Sequence, residues 1–220
     1  MYDSTGTFAV GFIPYIGTKS AAINYAKKWW NGLNPEFTFD TANNDCANFV
    51  SQCLYEGGIM VSSDWYYWNF WFFGWHKIKV TDIWGTASAL YKKIKQLASS
   101  SSKSSFSNFT IIHSQKELIK AIKSGKYPEG SVAFILNSDG TAHHAMYIGK
   151  STSDNIFYWA HTCERNGYDT STRYGLKQII AGGENVAIFS VITYFEVNIT
   201  MLKKENLLFF VACTIIIILI

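Results

Sequence analysis

Cys46, His144 and His161 are the residues whose types and spacing could do chemistry. Cys46 sits in the run Asn43-Asn44-Asp45-Cys46-Ala47-Asn48-Phe49-Val50-Ser51-Gln52. Asn44 or Asp45 is a good helix N-cap. Apolar residues then recur on one face at Cys46, Phe49/Val50 and Cys53/Leu54, and Gly57-Gly58 supplies a stop. The pattern predicts a helix with a thiol in its first turn. There the free N–H groups and the helix dipole favour negative charge, and a cysteine's pKa falls from about 8.5 toward neutrality. The bland alternative is a small buried hydrophobe.

Two histidines lie where a thiol hydrolase would need them. His144 opens a predicted strand 98 residues after Cys46, and His161 ends the next strand 17 residues further on. If those strands form a hairpin, His161 could reach the ring of His144. Nucleophile, base and orienter would then be in place. His143 is a rival base, because neighbours in a strand point to opposite faces and only one of the two can face Cys46. A metal site from His143, His144, His161 and Cys163 is a weaker reading, since no close CxxC pair or HExxH accompanies them. No metal and no cofactor are expected.

The elements that must position these groups divide into helices first and strands second. Ser20–Trp30 reads as a helix with Ala22, Ala26, Trp29 and Trp30 on one stripe. The Cys46 helix follows, then an aromatic run from Trp65 to Trp75 with no clear period. That run is read as a loop packed over the core. Alternatively Trp65, Trp68 and Trp75 form a stacking wall of a substrate cleft. Trp84–Leu97 is predicted helical, and Ser114 with Glu117 forms a capping box for a helix to about Lys123. Strands are expected at Ser131–Leu136, His144–Ile148, Ile156–His161 and Val186–Val197, separated by turn residues. Helices followed by an antiparallel meander make an α+β domain, N-terminal helices packed on an antiparallel β-sheet.

Composition narrows the function classes. Charged residues are 16% and aromatics 17%, too apolar a balance for disorder. A net charge of +3 without a basic run argues against nucleic acid as a partner. The 4 cysteines do not read as a disulfide framework, because Cys46 and Cys53 are two helical turns apart and Cys213 lies in an apolar tail. The expected organisation is an N-terminal extension (1–19), one domain (20–198) with a serine-rich insertion at 99–105, and a hydrophobic tail (199–220). No signal peptide is expected, since Met1-Tyr2-Asp3-Ser4 lacks a basic n-region and a long apolar h-region. Leu207–Ile220, preceded by Lys203-Lys204-Glu205, is a candidate membrane anchor. As a helix it would reach roughly 21 Å, short of the ~30 Å hydrocarbon core. Location is therefore expected to be membrane-associated or extracellular. Two Asn-x-Thr sequons, at Asn108 and Asn198, matter only in a secretory pathway.

Asn43 to Leu54, ending in Gly57-Gly58, resembles the nucleophile segment of the putative amidase domain family, related to the papain-like NlpC-type and CHAP cell-wall hydrolases. Tyr25-Ala26-Lys27-Lys28-Trp29-Trp30 is similar to the family's first helix, and Asp64-Trp65-Tyr66-Tyr67 to its aromatic segment. His144-Ala145-Met146-Tyr147-Ile148-Gly149 looks like its histidine strand, and Tyr158-Trp159-Ala160-His161-Thr162 like the strand after it. The resemblance implies a papain-like α+β core and a cysteine-dependent amide hydrolase acting on peptide or peptidoglycan-fragment bonds. Residue by residue it implies Cys46 as nucleophile, His144 as base and His161 at the third polar position. The oxyanion would be met by the Cys46 backbone N–H, with Asn43 or Asn44 as side-chain donor. The rival from another class is a non-catalytic glycan- or membrane-surface-binding module built on the aromatic segment.

Overall fold

The structure is a computed structural model. It describes residues 17–37, 45–59, 62–72, 75–100, 104–161 and 175–192, with the side chains of 68–77 outside that description. Asn43 and Asn44, Cys163, and the tail from 193 onward lie outside the described residues.

Helix α1 (Lys19–Trp29) begins where the Thr18 hydroxyl accepts from the Ala21 N–H at 3.1 Å. Lys27 and Lys28 occupy its last turn, where cations complement the dipole. A short 3-10 turn at Pro35–Phe37 leads toward α2 (Cys46–Glu56). Every residue of α2 from Cys46 to Leu54 is buried, so this helix is wrapped on all sides. Its polar members are accordingly all bonded. The Asn48 carbonyl accepts from Trp84 Nε1 at 2.7 Å, the Ser51 hydroxyl accepts from Trp65 Nε1 at 3.1 Å, and Gln52 accepts from the Tyr25 hydroxyl. Gly58 closes α2 at φ +77°, and its backbone runs so close to Gly17 that a Cβ would lie 2.7 Å from the Gly17 nitrogen.

The aromatic run is a β-hairpin rather than a loop: β1 (Tyr67–Phe72) pairs antiparallel with β2 (Trp75–Val80), Phe72 opposite Trp75. The predicted Trp84–Leu97 helix is two helices, α3 (Asp82–Gly85) and α4 (Ala87–Ser99). The break is Thr86, extended at φ −121°, which ends α3 and caps α4 through its hydroxyl. Two elements were not anticipated. Strand β3 (Phe106–Ile112) is interrupted at Asn108 (φ +50°) with a register shift, which erases its alternation. Helix α6 (Leu176–Ala181) is only 6 residues long.

Helix α5 (Gln115–Lys123) starts at Ser114 as the capping residues predict, the serine oxygen accepting from Glu117 N–H. The remaining strands are β4 (Val132–Leu136), β5 (Ala142–Ser151), β6 (Ile156–Trp159) and β7 (Asn185–Val191). They form one antiparallel sheet with β3 in the order β3-β7-β4-β5-β6. The expected α+β class is the observed one. The meander holds for β4, β5 and β6, but β7 inserts between β3 and β4 instead of extending it.

Two apolar layers sandwich the sheet. On one face Val132, Phe134, Ala145, Tyr147, Ala187 and Phe189 pack with α1, α2 and α4. On the other, Ala133, Met146, Ile148, Val186 and Ile188 pack with α5 and α6. Strand residues thus alternate between layers, as a period of two requires.

Candidate active site

Cys46 is the first residue of α2 and is 5% exposed, in the same apolar layer as Ala145 and Tyr147 of β5. Helix α2 packs on β5, the strand that carries His143 and His144. The second cysteine of the helix, Cys53, is fully buried, and burial pushes its thiol well above the ordinary range.

Asp45 does not cap its own helix. Both carboxylate oxygens are held elsewhere: Oδ1 accepts from Asn48 Nδ2 at 2.6 Å, and Oδ2 is bonded to His161 Nδ1. Asn48 is fixed in turn by Trp84. The second ring nitrogen of His161, Nε2, lies 2.7 Å from the carbonyl oxygen of Trp29, at the end of α1. Its ring stacks on Phe49 with centroids 4.3 Å apart. The strand expected to run to His161 ends at Trp159, so His161 lies two residues past β6, and both its nitrogens are committed to Asp45 and Trp29. No hydrogen bond joins it to His144.

His144 sits opposite Ile135 in the register of β4 and β5. Cross-strand partners share a face, and Ile135 packs against the layer of α5 and α6. His144 therefore lies on the face away from Cys46. Its Nε2 is buried without a hydrogen-bond partner. Burial, with a lesser push from His143, lowers its pKa to about 4, so the ring is neutral at ordinary pH. No α2 group contributes to that shift. His143 is the extra residue of a bulge, because Ile135 pairs with His144 while Leu136 pairs with Ala142. It is exposed, at the end of β5 where Ala142 and Ala145 both pack into the α2 layer. The bulge breaks the alternation between Ala142 and Ala145, so parity alone assigns His143 to neither face.

Of the three tryptophans considered for a cleft wall, Trp65 is a core residue, 2% exposed, packed against Phe106 and bonded to Ser51. Trp68 and Trp75 fall on β1 and β2, with side chains outside the described residues. Among the described residues no group of three or more His, Cys, Asp or Glu side chains converges as a metal site would require. Nor is any helix among them long and apolar enough to cross a membrane.

The chain belongs to the family described as "Putative amidase domain", which matches residues 17–183. It is also similar to the "Uncharacterized protein YhbB" of Bacillus subtilis (strain 168), 46% identical over 37 residues. That match covers 17% of this chain and 11% of the relative. The chain thus spans only a small part of that protein. No solved structure matches the chain.

Proposed function

We propose that this chain is a cysteine-dependent amidase or peptidase in which Cys46 is the nucleophile and His143 the base, on a papain-like arrangement. The observation that carries the reading is the placement of Cys46 at the first turn of α2, in one apolar layer with Ala145 of the strand that bears His143. We take His143 rather than the motif-based His144 because His144, half-buried, pairs opposite Ile135 on the α5 and α6 face, while His143 is exposed beside it on the bulge.

In the reaction, His143 takes the Cys46 proton, and the thiolate attacks the amide carbonyl carbon. The oxyanion so formed is met by helix-start N–H groups, with Asn43 or Asn44 as the side-chain donor. Loss of one such donor costs on the order of 10²–10³ in rate. His143 returns the proton to the leaving nitrogen as the C–N bond breaks, leaving a thioester. Water, deprotonated by the same ring, then releases the carboxylate and regenerates the thiol.

The substrate class we infer is a peptide or peptidoglycan-type amide bond, supported by the family resemblance of the Asn43–Leu54 segment. Incubating the protein with defined wall muropeptides and analysing products by mass spectrometry tests this. New amine and carboxylate termini, absent with Cys46→Ala, are expected. Intact muropeptides with retained binding would instead favour a glycan- or surface-binding module. Membrane association through 207–220 is a separate proposal, checked by flotation of the full chain with liposomes against a version lacking those residues.

A further inference from the structure

His161 lies between two hydrogen-bond acceptors, and that fixes its chemistry. The carbonyl oxygen of Trp29 can only accept, as can an ionised Asp45 carboxylate. A neutral imidazole donates from one nitrogen only, so one of these contacts would set lone pair against lone pair. Both are satisfied when the ring carries both protons. The surroundings suit a cation: the last carbonyls of α1 are the negative end of that helix, and Asp45 is an anion. Asn48, itself anchored by Trp84, holds the other carboxylate oxygen.

We infer that His161 is a positioning and charge-balancing residue for the nucleophile rather than the orienter of the base: its imidazolium neutralises Asp45, so that the start of α2 stays hospitable to a Cys46 thiolate. This rests on the reading of Cys46 as nucleophile. Asp45 precedes Cys46 directly, and an uncompensated carboxylate there would oppose ionisation of the thiol. The other ionisable groups nearby are accounted for. Lys27 and Lys28 of α1 lie over the rings of Trp159 and Trp29. Tyr25 of α1 is bonded to Gln52 and Asn34, and its hydroxyl is pushed up by burial, with the Asp45 charge a minor contributor.

The test follows Cys46 alkylation by iodoacetamide against pH in the full chain, by peptide mass spectrometry. His161→Ala and His161→Gln should both move the midpoint up by about one pH unit, slowing labelling at neutral pH roughly tenfold. Adding Asp45→Asn to either should restore the parental midpoint, because the burden left by losing His161 is the carboxylate. A double variant that stays as slow as the single one overturns the inference, since an orienter of the base would not be rescued by removing Asp45. Should both His161 variants lose the circular dichroism of the parent, Asp45→Asn alone decides. A midpoint at or below the parental one supports the inference, and an upward move overturns it. Failure of the underlying reading looks different: the parent's Cys46 would then resist labelling below the ordinary thiol range.

Discussion

The two cysteines of α2 sit two turns apart on one helix, yet their surroundings make them chemically unlike. Cys53 is fully buried in the apolar core, and desolvation, with a lesser push from the Glu56 charge, raises its thiol well above the ordinary range. Cys46 lies at the helix entry, beside the Asp45–His161 pair and the start of β5. The same thiol is a core filler at one position and a candidate nucleophile at the other. What differs is the set of dipoles and charges around each one. A parallel contrast holds on β5, where adjacent histidines differ in exposure: His144 is half-buried and its pKa lowered, while His143 is exposed on a bulge.

Exchanging the thiols one at a time gives the largest expected effect. Cys46→Ala should abolish amide hydrolysis, whereas Cys53→Ala should leave kcat/KM within a few-fold of the parent. Equal losses in both, measured on one muropeptide, would erase the distinction. The histidine pair comes next. We expect His143→Ala to lower kcat by about 10²–10⁴-fold, the usual worth of a positioned acid–base group. His144→Leu should retain most activity, and a reversal of these two results would return the base to His144.

His144 also sharpens the comparison through stability. Its folded pKa of about 4 lies below its ordinary 6.5, so the unfolded chain binds the extra proton first. Its contribution is thus intact above pH 6.5 and is lost as pH falls toward 4. At about 1.4 kcal/mol per pH unit, the loss across that window is on the order of 3 kcal/mol. Urea unfolding at several pH values should show this slope in the parent and a flatter one in His144→Leu. The smallest effect belongs to the support of Asp45. Asn48→Ala leaves Trp84 Nε1 and one Asp45 oxygen without their partner, which should cost about 1–3 kcal/mol of stability.

The sequence made the local features legible and left the pairing hidden. The start of α2 was readable because Asp45, the apolar stripe and Gly57-Gly58 are all near neighbours in the chain. Ser114 likewise announced α5. Which histidine faces α2 was not readable, because it depends on the register of β5 against β4 and on a bulge at His143. The same holds for β3, whose broken alternation at Asn108 concealed a strand, and for the insertion of β7 beside β4. His161 was read as the end of a strand and the orienter of His144. Its partners were not readable, since Asp45 and Trp29 lie more than a hundred residues away in sequence.

The central claim is that Cys46, and not Cys53, is an activated thiol served by His143. One experiment addresses it without knowledge of the substrate: the rates of iodoacetamide labelling of both cysteines in the same molecule, against pH, in the parent and in His143→Ala. Our account predicts rapid labelling of Cys46 well below pH ~8.5, the free-thiol value, a slower or upshifted profile in the variant, and protection of Cys53 throughout. Labelling of Cys46 only in the ordinary thiol range, unchanged by removing His143, would contradict it.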